Sequence, residues 1–114
     1  MYSILGSQLD LPVTGQEQDI VEGDCIISKQ HLVDESGMSF GVRQVTPGTF
    51  RSYWEGWEAF TILSGKGTLT DDDGTAHVLE PGALIVVPPD SHGVWRIEET
   101  LRKTWVFPAG SVGR

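Results

Sequence analysis

Residues 58–70 read as a strand, a Gly turn and a second strand, with a carboxylate at the head of the first. Side chains in a strand alternate between faces, so Glu58 shares its face with Phe60 and Ile62. A carboxylate pointing where core residues point is costly unless it is paired, ligates a metal or meets a polar ligand. The same pattern recurs near the C-terminus with the opposite charge, where Lys103 shares the face of Leu101, Trp105 and Phe107. Together they predict a small β-protein with a polar interior site, in which Glu58 and Lys103 sit side by side.

Composition narrows the rest. A chain of 114 residues fits one domain with one core. Short β-rich runs, 14 Gly and 6 Pro favour an all-β fold. A formal charge of −8 argues against binding to nucleic acid phosphates or to anionic membrane, both of which need a basic footprint. The lone Cys25 cannot form an internal disulfide and reads as a buried, inert thiol. No apolar stretch approaches a membrane span, and residues 1–6 lack the basic start and long apolar stretch of a secretory signal. A cytoplasmic location is expected.

Residues 1–24 have weak periodicity and read as an N-terminal arm, and residues 25–114 as a β-barrel domain. Strand candidates follow Cys25 at regular intervals. Thr46-Pro47-Gly48, Asp71-Asp72-Asp73-Gly74 and Pro81-Gly82 mark turns, and the acidic run is a solvated hairpin tip. Residues 83–87 are apolar at every position, as expected of a strand buried on both faces. Val94 to Ile97 and Leu101 to Phe107 finish the sheet. Extra apolar surface on these last strands implies that the arm or a second subunit covers them, and a homodimer is expected.

The stretch from Thr46 to Val106 resembles the cupin superfamily. Within it, the stretch is most similar to the small single-domain group around the ureidoglycine aminohydrolase cupin domain. The matching features are Trp54…Trp57-Glu58, Leu63-Ser64-Gly65-Lys66-Gly67, Asp73-Gly74, Pro81-Gly82, Val87-Pro88, Gly93-Val94-Trp95 and Arg102-Lys103, in the family's order. The resemblance implies a double-stranded β-helix, or jelly roll, with its site inside the cupin barrel. Cupins usually supply two His one residue apart, then a Glu, then a His after a later Gly and Pro. Glu58 fits the Glu. The His positions fall within Arg51-Ser52-Tyr53-Trp54, where no His stands, and Gly93 takes the place of the last His, with His92 one residue short. A transition-metal site generally needs three or more protein ligands. No metal and no other cofactor is therefore expected, and a Mn-dependent aminohydrolase activity is not carried over.

Two classes of function fit. In the first, the barrel binds a small polar metabolite without a metal. Lys103 holds an anionic group, Glu58 a donor, and Trp54, Trp57 and Trp95 an apolar part, with Arg51 a further ligand-binding candidate. In the second, the chain is an enzyme of hydrolase or isomerase type with divergent metal or acid–base chemistry, in which Glu58 and Lys103 transfer protons and His92 assists. Each residue also has a structural reading. Glu58 and Lys103 fit a buried ion pair, His92 a rim position, the Trp residues core packing, and Arg43 and Arg51 an outward face. His31 and His77 read as surface residues.

Overall fold

The computed structural model describes residues 1–35 and 37–108. These hold one 3₁₀ turn, Gly6–Gln8, and nine strands: β1 (Val13–Gln16), β2 (Ile20–Gly23), β3 (Ile26–Glu35), β4 (Met38–Val45), β5 (Gly48–Trp54), β6 (Glu58–Asp71), β7 (Ala76–Leu79), β8 (Leu84–Val87) and β9 (Ser91–Phe107). Every pairing is antiparallel. The fold is an all-β jelly roll.

Two long strands make the barrel. β6 and β9 pair along most of their length, from Ala59 opposite Val106 to Asp71 opposite Gly93. Each runs through both sheets. The first half of β6 and the second half of β9 join β8, β4, β3 and β1. The other halves join β7, β5 and β2. The two sheets face each other, and Phe60 of the first meets Trp95 of the second at 5.4 Å between ring centroids.

The change of sheet occurs where the sequence suggests a turn. Residues 58–70 are one bent strand, not two strands joined by a Gly turn. The register shifts three times between Ile62 and Gly67. Gly65 has φ +97°, and a Cβ there would overlap the carbonyl oxygen of Thr100. Glycine and bulges thus re-aim the strand rather than reverse it. In the same way, the two segments expected at 94–97 and 101–107 are parts of the single strand β9.

Two further findings depart from the sequence reading. The segment before Cys25 contains β1 and β2, which pair with β3 and β5 respectively. Residues 84–87 form the edge strand β8, bonded to β6 alone. Its outer side chains Leu84 and Val86 are exposed while Val87 is buried. An apolar residue at every position does not bury both faces when no second layer lies outside. No helix among the described residues is long and apolar enough to cross a membrane.

Candidate functional site

Glu58 and Lys103 meet inside the barrel. Lys103 Nζ donates to Glu58 Oε2 at 3.0 Å, and both residues are almost fully buried. The second carboxylate oxygen, Oε1, accepts from the indole Nε1 of Trp54 at 2.7 Å. Parity explains the meeting: Glu58 faces inward with Phe60 and Ile62, and Lys103 with Leu101 and Trp105. The ammonium also lies 4.1 Å from the Phe60 ring centroid and 4.8 Å from that of Trp95, over negative ring faces. Burial pushes the Lys103 pKa down, and the Glu58 charge opposes that shift.

The charged interior is larger than this pair. Arg43 lies opposite Lys103 across β4 and β9, and Lys29 opposite Arg43 across β3 and β4. Arg43 Nη2 donates to Glu17 Oε2 at 2.8 Å, and neither side chain is more than 14% exposed. Arg43 thus faces inward, contrary to the outward reading. The alternation could have revealed it, because Arg43 shares parity with the buried Val45 and Gly41. Glu17 lies between β1 and β2, where no periodicity marks it. Burial, then the Arg43 charge, lowers the pKa of Lys29, while Glu17 raises it.

The remaining candidates separate. Trp95 is buried in the core, and its Nε1 donates to Ser52 Oγ at 3.0 Å. Trp57 is half exposed in the bend before β6. Arg51 points off the outer face, three residues and therefore opposite in facing from Trp54, and pairs with Asp19 at 3.2 Å. His92 is exposed on the rim, 3.7 Å from Asp72, with Tyr53 beside its ring. His77 is half exposed and bonded to Asp71 at 2.8 Å. His31 is exposed, edge-on to Trp105. Cys25 is fully buried, and burial raises its thiol pKa.

A cleft of about 410 Å³ opens at one end of the barrel. Trp54, Leu69 and Val87, all buried, line its apolar part, and Asp72, His77 and His92 stand on its polar side. Glu58 and Lys103 do not line it. Trp54 connects the two, since its ring borders the cleft and its N–H holds Glu58. On the far side of Lys103, beside Arg43 and Glu17, is a void of only about 10 Å³.

Residues 32–105 match the EutQ-like cupin domain, well over half of the chain. The chain belongs to the EutQ-like cupin family. Its structure is similar to that of the Clostridium difficile EutQ protein, with a TM-score of 0.72 and 19% identity over 95% of this chain and 87% of that one. The polyketide cyclase RemF from Streptomyces resistomycificus gives a TM-score of 0.72 and 17% identity over 99% of this chain and 82% of that one. Ectoine synthase from P. lautus gives 0.69 and 18% over 96% and 78%. At these identities the likeness is one of fold. No curated protein matches the chain.

In this cupin the residues at the usual metal-ligand positions do not suit a metal. Ser52 and Trp54 occupy the inner face of β5, and Gly93 stands where the last His is expected. Glu58 remains, but one oxygen is taken by an indole N–H and the other by an ammonium. No group of three His, Cys, Asp or Glu side chains among the described residues is placed to hold a metal ion.

Proposed function

We propose that this cupin binds a small polar metabolite at the mouth of its barrel, without a metal, in the cleft floored by Trp54. The observation that carries this reading is the cleft itself, about 410 Å³ with an apolar floor and a polar rim. That size and lining are typical of small-molecule sites. The rim carries Asp71, Asp72, Asp73, His77 and His92, and neither Lys nor Arg lines the cleft. Such a rim favours a ligand whose polar end is a cation or a hydrogen-bond donor. The buried Glu58–Lys103 pair sets the position of the Trp54 ring through the Nε1–Oε1 bond.

The motif resemblance to the ureidoglycine aminohydrolase cupin domain supports a site near Glu58 and the barrel mouth. It does not extend to the ligands of a metal-dependent reaction. The alternative, a divergent hydrolase or isomerase using Glu58 and Lys103, needs substrate to reach a pair that the cleft does not expose. The binding reading is therefore favoured.

Titration of ¹⁵N-labelled protein with a set of small amines, ureides and sugars tests it. Shifts clustered at Leu69, Asp72 and Gly93 are expected, and Trp54→Ala and Asp72→Asn should weaken them. Binding confined to residues away from these would overturn the site. Metal analysis after purification without an affinity tag separates the two readings. Stoichiometric Mn, Fe, Ni or Zn would favour the enzyme.

A further inference from the structure

Three basic side chains stand in one row across the first sheet: Lys29 on β3, Arg43 on β4 and Lys103 on β9, each opposite the next. Like charges directly opposite each other destabilise a sheet, so such a row needs anions beside it. Glu58 meets Lys103, and Glu17 meets Arg43. Lys29 has no carboxylate within ion-pairing distance among the described residues. The row therefore holds one positive charge more than the carboxylates paired with it. This stands out in a chain of net charge −8.

Glu17 reaches the row from outside the two main sheets. It follows β1, which extends the first sheet beyond β3, and precedes β2, which extends the second beyond β5. The short connection spans the seam between the sheets, and the Glu17 carboxylate enters there. Beneath it lies the void of about 10 Å³ bordered by Arg43, Phe50, Trp95 and Lys103, room for a single water at most. Residues 17–19 are tied by the Glu17 N–H to the Cys25 carbonyl at 2.9 Å and by Asp19 to Arg51, while the strands on either side are short. β1 and β2 have four residues each, are largely exposed, lie at sheet edges and carry register shifts. Segments of that kind open locally at low free-energy cost.

We propose that Arg43, Lys29 and Lys103 form a second binding site, for a small carboxylate, and that Glu17 is its internal competitor. The Glu17 carboxylate holds the seat at the guanidinium until residues 17–19 move aside or a ligand carboxylate replaces it. It shares no lining residue with the acid-rimmed cleft and meets it only through the Lys103–Glu58–Trp54 chain of bonds.

Removing the competitor tests the idea. Glu17→Ala and the natural chain are melted in rising sodium formate, with sodium chloride at matched ionic strength as the control. Formate should raise the Glu17→Ala midpoint in a saturable way that chloride does not reproduce. In the natural chain its apparent affinity should be at least roughly tenfold weaker, because formate must displace a charge-assisted bond. Adding Arg43→Met to Glu17→Ala should abolish the formate effect. If Glu17→Ala is unfolded in buffer, formate should restore its circular dichroism where chloride does not. Equal responses to formate and chloride, in melting or in refolding, would overturn the proposal. So would an equal formate response in the natural chain, or one that survives loss of Arg43.

Discussion

Cutting the Glu58–Lys103 pair from each side in turn should destabilise the protein unequally. The charges meet at 3.0 Å with side chains 1% and 5% exposed. Removing one partner of a buried pair costs about 3–5 kcal/mol, because the other charge is left uncompensated. Proton transfer to or from solvent limits that cost. A stranded carboxyl can be neutralised at pH 7 for about 3.7 kcal/mol from an ordinary Glu value near 4.3, and a stranded ammonium for about 4.6 kcal/mol from a Lys value near 10.4. Lys103 would also keep its contacts with the Phe60 and Trp95 rings, worth up to about 2 kcal/mol when desolvated. Glu58→Gln is therefore expected to cost about 2–3 kcal/mol and Lys103→Met about 3–4 kcal/mol. The double variant should lose about 3–4 kcal/mol, no more than Lys103→Met alone and short of the sum of about 5–7 kcal/mol, which is a coupling of about 2–3 kcal/mol. Urea unfolding followed by circular dichroism measures all of these. Losses below about 1 kcal/mol in both single variants, the range of exposed pairs, would refute the reasoning. So would a double variant equal to the sum of the singles.

Three other outcomes are expected. Gly65→Ala should lose at least about 2 kcal/mol by thermal or urea unfolding, since it combines positive φ with overlap on the Thr100 carbonyl; a neutral result would remove the bend argument. Hydrogen bonds from Asp73 and His77 lower the Asp71 pKa from 3.8 to about 2. The stability this gives is present above pH 3.8 and lost as pH falls through about 2, so Asp71→Asn should flatten acid unfolding in that window; an unchanged acid profile would count against it. The expected homodimer, if it covers Leu84 and Val86, should sediment at twice 12.5 kDa and dissociate in Leu84→Lys; a natural chain sedimenting only as a monomer at micromolar concentration would contradict it.

The fold was legible wherever a strand has one face inside and one outside. β5 and both halves of β6 and β9 carry that alternation, and the Asp-Gly signal at 73–74 marks the hairpin between β6 and β7. The misses have separate causes. β1 and β2 are edge strands with nearly all of their side chains exposed, so no pattern of burial is written into them. Gly65 carries the same information whether the chain turns back or bulges, and only the pairing with β9 decides between them. β8 is apolar throughout yet exposed on one side, because burial is set by what lies outside a sheet and composition does not record that.

The site divides along the same line. Facing is a local property, so Glu58 and Lys103 could be placed in the interior from parity alone, and Arg43 could have been placed with them. Register is a tertiary property. Nothing local to β4 or β9 says that Arg43 comes to lie opposite Lys103, or Lys29 opposite Arg43. Once that register is known, much of the rest follows from electrostatics. Two inward cations on neighbouring strands repel, and the low-dielectric interior strengthens the repulsion. Each then needs an anion beside it. Glu58 answers for Lys103 from the head of β6, and Glu17 answers for Arg43 from a connection without periodicity. Lys29, at the partly buried end of the row, has no carboxylate at ion-pairing distance among the described residues, and its partial exposure leaves water to take the anion's place.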